Sequence, residues 1–306
     1  MKRYSLAVVA CLLLSAPAFA QVPPDIAAAI RKIGHVVDTQ NTAKLYAPFF
    51  KNMQERYADA RVVRDVSYGP DPLNRLDVFS PQTGQQAGRM VVIYAHGGQM
   101  LRGDKHQDGS PYYDNLMLFL TQHGMVGVNM DYRLAPKNHW PDAQQDVQSV
   151  IRWVKANIGQ YGGDPNRIVL WGQSAGAGLI AGYLSHPEFY GPDGAGVKGA
   201  IIHSGHYNVG PRGSEYYGHD PAQLLERSAV QGMTKVSIPL LVSYTEVDIP
   251  GAPEEAQNLK SAMCDAGHCP TFVEFKDHSH MSQVFSVGTP DTSVSGPVLK
   301  FLTSIK

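Results

Sequence analysis

The segment RIVLWGQSAGAGLIAGYL, Arg167 to Leu184, passes from a β-branched apolar run into an alanine- and glycine-rich one. At the junction Ser174 stands between Gly172 and Gly176. In a strand–Gly-x-Ser-x-Gly–helix unit the serine occupies a strained turn, and the glycines relieve crowding between strand and helix. Such a turn exposes Oγ above a sheet, near a helix N-terminus whose dipole favours developing negative charge. Ala175 would then offer a backbone N–H to an oxyanion. A serine hydroxyl is a weak nucleophile until a base takes its proton, and the base needs an orienting carboxylate. In the order serine, acid, histidine, the acid follows a later strand and the histidine the last one. SYTEVDIPG supplies Glu246 and Asp248. Strand alternation puts both on one side; Asp248, further into the crevice, is taken as the acid, with Glu246 as the alternative and otherwise a loop anchor. DHSHMS supplies His278 and His280, which periodicity cannot separate. His280, just before Met281, is taken as the base, and His278 is expected to pack or hydrogen-bond within the loop. YAHGGQM supplies Gly97 and Gly98, whose amides can approach a tetrahedral oxygen closely because they carry no side chain. His96 is expected to hold that loop through a side-chain-to-backbone bond.

These groups need a scaffold that brings distant letters together. RLDVFSP, MVVIYAHGG, MVGVNMDYRL, RIVLWG, VKGAIIHSG, IPLLVSYTEVD and PTFVEFKDH read as strands, most of them continuous apolar runs as buried parallel strands are. Between them DAQQDVQSVIRWVKANIGQYG reads as an amphipathic helix with Val147, Val150, Ile151, Val154 and Ile158 on one face. SAGAGLIAGYLS, PEEAQNLKSAMCDAG and SGPVLKFLTSI read as further helices. Alternating strands and helices predict an α/β fold: a mostly parallel central sheet of about eight strands with helices on both faces. Ligands of such sheets bind beyond the carboxyl ends of the strands. The groups singled out above all fall at such ends.

The 306 residues are 43% hydrophobic, enough for a sizeable core, and carry a formal charge of −1. No basic run appears, so no attraction to nucleic acid or to an anionic membrane is expected. MKRYSLAVVACLLLSAPAFA has a positive start, an apolar run too short to span a bilayer, and Ala18-Phe19-Ala20 as a cleavage pattern. Residues 1–20 are therefore expected to be a signal peptide, and the mature protein to be secreted or periplasmic. One domain is expected over 21–306, with an N-terminal helical segment (21–60) and a candidate lid loop (211–232). Cys264 and Cys269 enclose four residues, and in an oxidising compartment they are expected to pair. A zinc site from His268, His278 and His280 fits no common spacing, and neither metal nor organic cofactor is called for.

HGGQMLRGDK, DYRLAPKNHWPDAQQDV, GGDPNRIVLWGQSAGA, EVD and DHSHMS, in that order, resemble the α/β-hydrolase superfamily. The resemblance is to its carboxylesterase/lipase branch, related to hormone-sensitive lipase and to secreted feruloyl-esterase-like enzymes, and covers roughly Val62 to the C-terminus. It implies an α/β-hydrolase fold and a serine esterase acting on a small-molecule ester, with Ser174, Asp248 and His280 as triad. Gly97, Gly98 and Ala175 would form the oxyanion hole. Two letters depart from the hormone-sensitive-lipase pattern. Gln99 stands in the third glycine place of His-Gly-Gly-Gly, and Gln173 replaces the aspartate before the nucleophile. Gln99, Gln173, His206 and Trp140 are candidates for the substrate pocket, and His139 and His203 could line it too. Arg102, Asp104 and Lys105 are expected to order the loop after the glycines. Asp131, Arg133 and Asp146 are expected to tie DYRL to the next helix. An amidase, formamidase or peptidase on the same triad is the alternative, and a non-catalytic binding module of this fold is a further one.

Overall fold

The computed structural model describes residues 21–82, 87–210 and 214–306, so the expected signal peptide lies outside the described residues. Eight strands form one sheet: β1 (Ala60–Ser67), β2 (Arg75–Pro81), β3 (Arg89–Ala95), β4 (Val126–Met130), β5 (Gly163–Gln173), β6 (Gly199–His203), β7 (Leu240–Val247) and β8 (Thr271–Ser279). Their order is β1-β2-β4-β3-β5-β6-β7-β8. The pairs β1/β2 and β2/β4 are antiparallel, and all later pairs are parallel.

Alternation along the central strands divides the core in two. Val91, Ile93 and Ala95 of β3, with Ile168 and Leu170 of β5, pack against the helices Asp142–Asn157, Ala175–Ser185 and Ala252–Asp265. Met90, Val92 and Tyr94, with Val169 and Trp171, face the helices Pro24–Ile33, Asp114–Gln122 and Ser295–Ser304. Burial on both faces is why these strands read as unbroken apolar runs. The predicted stripe Val147, Val150, Ile151, Val154 and Ile158 is buried throughout.

A strand and a core helix escaped the pattern reading, as did the short helices Pro221–Arg227, Val230–Met233 and Ser282–Phe285. Strand β1 is an edge strand whose Arg61, Arg64 and Asp65 interrupt its apolar alternation. The helix Asp114–Gln122 is buried on all sides but its last residue, so it has no polar face to announce it. Residues 21–60 hold the helices Pro24–Ile33, Thr39–Tyr46 and Met53–Ala58, after which β1 begins.

The candidate lid is clamped where it is described. Tyr216 is fully buried; its hydroxyl donates to Gln144 Oε1 (2.6 Å) and accepts from Ala143 N (2.9 Å). Its carbonyl takes the Trp140 amide. Residues 214–217 are therefore anchored to the start of the helix Asp142–Asn157. Cys264 and Cys269 are disulfide-bonded at the end of the helix Ala252–Asp265.

Candidate active site

Strand register brings the candidate residues to one edge. Ala95 pairs with Gly172, Gln173 with His203, and His203 with Ser243. His96, Ser174 and Ser204 therefore leave neighbouring strands side by side. The Ser174 amide also donates to His203 O (2.9 Å), and the Ser204 amide to Ser243 O (2.8 Å).

Ser174 has φ 56° and ψ −122°. A side chain in that region costs about 1–3 kcal/mol and persists only where the surroundings enforce it. The glycines show the enforcement. A β-carbon on Gly172 would lie 2.5 Å from the Gly176 carbonyl, and one on Gly176 would lie 2.1 Å from Ala95 O. The helix thus starts in backbone contact with both β5 and β3. Gly178 N donates to Ser174 O, the first bond of this helix. Ala175, at the first helical position, has no intrahelical carbonyl for its N–H.

The glycine loop abuts the serine. A β-carbon on Gly97 would lie 3.2 Å from Ser174 Cβ and 2.9 Å from Gln173 Oε1. Gly98 has φ 127°, and its carbonyl accepts the amides of Leu101 and Arg102. Gln99 (φ 61°) and Met100 (φ 63°) continue the left-handed backbone. Gln99 is exposed, while Met100 is buried. The loop is held from behind. His96 Nδ1 lies 2.6 Å from Gly97 O, its ring stacks on Tyr132, and Tyr132 Oη donates to His96 O. The Lys105 amide donates to Asp131 Oδ1, and its ammonium pairs with Asp65 and Asp77. Arg133 pairs with Asp142 and Asp146, joining the DYRL segment to its helix.

Asp248 and His280 meet in a buried pair, with His280 Nδ1 2.7 Å from Asp248 Oδ1. Oδ1 also accepts Ile249 N (2.8 Å), and Oδ2 accepts Ser204 Oγ (2.5 Å) and Thr245 N (3.0 Å). Burial pushes the Asp248 carboxyl up, but its bonds from His280, Ser204 and Thr245 outweigh that and hold it below the ordinary carboxylate value. An ionised carboxylate can only accept, so Nδ1 of His280 carries the proton and Nε2 keeps the lone pair of a base.

The competing residues are placed elsewhere. Glu246 is exposed and accepts the Asp277 amide (2.8 Å), a loop anchor. It does not share a face with Asp248, because β7 ends at Val247 with a register irregularity there. His278 is buried between Ser282 Oγ (2.9 Å on Nδ1) and Ser293 Oγ (2.7 Å on Nε2). His203 does not line the crevice: it is buried between Trp171 and Phe275, with Nδ1 against Ser243 Oγ (2.5 Å).

Burial lowers His203 to about 3 and His278 to about 4, from an ordinary 6.5. Both stay neutral in the fold, while the unfolded chain takes up protons below about 6.5. Their stabilisation is fully present above that pH and is lost as pH falls toward 4. Unfolding free energies from chemical denaturation should decline over this window by roughly 1 kcal/mol per pH unit for each histidine. His203→Gln, which cannot titrate, should flatten the decline.

The four pocket candidates separate. Gln173 is a correction: it is buried, and its Nε2 donates to His280 O (2.9 Å), tying the serine turn to the loop that carries His280. Trp140 is also displaced from the serine. It packs on His186, Phe189 and Tyr217, over Gly182, two helical turns past Ser174. His139 meets Glu215 O instead. His206 is exposed, and its carbonyl lies over Gly178, above the start of the helix Ala175–Ser185. Gln99 remains at the surface beside the glycines. A groove of about 640 Å³ lined by Asp71, Arg133, Arg152 and Phe189 touches none of the candidate triad.

Sequence reasoning missed three residues that brace the pair. Ser204 reaches Asp248, Gln283 reaches both Ser204 and His280 O, and His35 Nδ1 lies 2.8 Å from Asp248 O. Only Ser204 carried a signal, its place at a strand end.

Residues 76–190 match the BD-FAE family model. The probable carboxylic ester hydrolase LipM of Mycobacterium tuberculosis is 36% identical over 140 residues, covering 45% of this chain and 31% of LipM. The human bile salt-activated lipase is 32% identical over 146 residues, covering 43% of this chain and 19% of the lipase. The matched segment thus spans about a third or less of these curated relatives. Esterase B of Lactobacillus rhamnosis superposes with a TM-score of 0.70 at 18% identity, covering 92% of this chain and 95% of the esterase. The chain has the α/β-hydrolase fold, and its residues 76–190 are similar in sequence to carboxylic ester hydrolases and lipases.

Proposed function

We propose that this chain is a serine hydrolase that cleaves carboxylic esters of small molecules through an acyl-enzyme. His280 Nε2 takes the proton of Ser174, and Oγ attacks the ester carbonyl carbon. The resulting oxyanion accepts from the amides of Gly97, Gly98 and Ala175. His280 returns the proton to the leaving alcohol as the C–O bond breaks, and water repeats the sequence on the acyl-enzyme. Asp248 fixes the His280 tautomer and stabilises the imidazolium. The observation that carries this proposal is the buried His280–Asp248 pair (2.7 Å) past the ends of β8 and β7, at the same edge of the sheet as a serine held at φ 56° past the end of β5.

The test is hydrolysis of p-nitrophenyl acetate and its matched anilide, with fluorophosphonate labelling of Ser174. Ester turnover well above amide turnover supports an esterase; the reverse supports the amidase alternative. No labelling and no turnover would point to a binding module. Gly98→Ala would place a β-carbon 1.8 Å from Arg102 O at φ 127°, displacing the amide. Its expected cost is on the order of 10²–10³ in kcat with KM little changed, as for loss of one oxyanion donor.

Export to a secreted or periplasmic location is part of the proposal. It is supported by the leader pattern of residues 1–20 and by the Cys264–Cys269 disulfide, a bond that persists in oxidising compartments. Among the described residues, no helix is long and apolar enough to cross a membrane.

A further inference from the structure

Ser174 is one of two serines with a positive φ at adjacent strand ends. Ser204, first after β6, has φ 48° and is fully buried. A left-handed backbone favours glycine, and Gly205 follows at once, so local geometry gives no reason to keep a side chain here. The reason lies in the hydroxyl. Ser204 Oγ is 2.5 Å from Asp248 Oδ2 and 2.7 Å from Gln283 Nε2. The same Gln283 nitrogen lies 3.0 Å from His280 O, which also accepts Gln173 Nε2 at 2.9 Å.

Proton directions follow from donor and acceptor types. A main-chain carbonyl only accepts, so the Gln283 nitrogen, not its oxygen, must face His280 O. That nitrogen can only donate, so Ser204 Oγ accepts from it. The single Ser204 proton is then left for the Asp248 carboxylate. The result is a closed ring: Gln283 N–H donates to Ser204, Ser204 O–H donates to Asp248, the His280 ring N–H donates to Asp248 from the other side, and Gln283 N–H also donates to the His280 carbonyl. The run from Gln283 through Ser204 to Asp248 is head to tail, so its first bond polarises its second in a dry setting. All four side chains are buried.

We propose that Ser204, set by Gln283, is a positioning residue: it fixes the rotation of the Asp248 carboxylate so that Oδ1 meets the His280 ring. This deepens the esterase proposal and rests on it. Ser204 touches no substrate; it acts through Asp248. Thr245 N and Ile249 N hold the carboxylate from the main chain, and Ser204 is the only side chain besides His280 seen bonding to it among the described residues.

The test is Ser204→Gly, which removes the hydroxyl and relaxes the backbone. Thermal stability should fall only modestly, since relief of the positive φ offsets part of the cost of the two lost buried bonds. For p-nitrophenyl acetate kcat should fall about 10- to 100-fold, the worth of one hydrogen bond to a charged group, with KM unchanged. The low-field proton resonance of His280 Nδ1–H should shift, a readout that needs no turnover. Gln283→Leu, which keeps Ser204, should move the same resonance and lower kcat less. Unchanged kcat and an unchanged resonance in Ser204→Gly would overturn the proposal, as would a kcat loss explained by lost stability. Wild-type turnover and Ser174 labelling, measured in parallel, test the esterase proposal separately. Active wild type with an indifferent Ser204→Gly defeats only the positioning role.

Discussion

Ser174→Ala should lower kcat/KM for p-nitrophenyl acetate by about 10⁴–10⁶-fold and abolish fluorophosphonate labelling, while the melting temperature hardly changes. The magnitude reflects removal of the covalent route, which leaves only what the oxyanion donors and binding provide. Stability is spared for reasons visible locally. Ser174 is half-buried and its hydroxyl carries no capping bond for the helix Ala175–Ser185. Alanine occupies the same left-handed turn at the same cost, since the turn is enforced by Gly172, Gly176 and the strand ends. Retained turnover in this variant would remove Ser174 from the mechanism, and the other positive-φ serine, Ser204, could not replace it. Ser204 is buried and already bonded at its oxygen.

What the sequence disclosed follows the range of the constraint. The serine turn was legible because its strain is relieved by atoms two residues away, so Gly172 and Gly176 sit beside their cause. The helix Asp142–Asn157 was legible because it is buried on one side only. The helix Asp114–Gln122 was hidden by being buried nearly all round, and β1 by its charges. Arg64 in β1 pairs with Asp77 and Asp114, and Asp114 lies fifty residues on in a different element. Gln173 was misjudged for the same reason. Its partner, His280 O, is 107 residues away and is a backbone atom, which leaves no mark on the letters around it. The ring through Ser204 and Gln283 is likewise long-range, spanning 79 residues between those two.

Similarity is also uneven along the chain. The matched family segment, 76–190, contains Gly97, Gly98, Ser174 and Ala175 but neither Asp248 nor His280. The candidate nucleophile and oxyanion donors therefore lie inside the segment that is similar to known proteins. Acid and base rest on this chain's own geometry, so the base makes the sharper test.

His280→Asn and His278→Asn form a matched pair with opposite expected outcomes. In His280→Asn the amide nitrogen stands near the former Nδ1 and can still donate to Asp248 Oδ1, so the buried carboxylate keeps a partner. Nothing remains at the position of Nε2 to take the Ser174 proton. Turnover should fall by about 10⁴–10⁶-fold with a small loss of stability. In His278→Asn the amide can still meet Ser282, but the bond from Nε2 to Ser293 is lost and the buried Asp291 loses its imidazole neighbour at 3.6 Å. Deleting one such buried bond costs about 1–3 kcal/mol, so the melting temperature should drop while kcat changes by less than about tenfold. The two residues are separated by one letter and share the same strand end, and no pattern in the chain distinguishes them. The structure distinguishes them by partner: a carboxylate on one nitrogen for His280, a serine on each nitrogen for His278. A base needs one nitrogen oriented and the other unoccupied, and a histidine bonded at both is committed to the loop. Turnover lost in His278→Asn but retained in His280→Asn would reverse the assignment and, with it, the role given to Asp248.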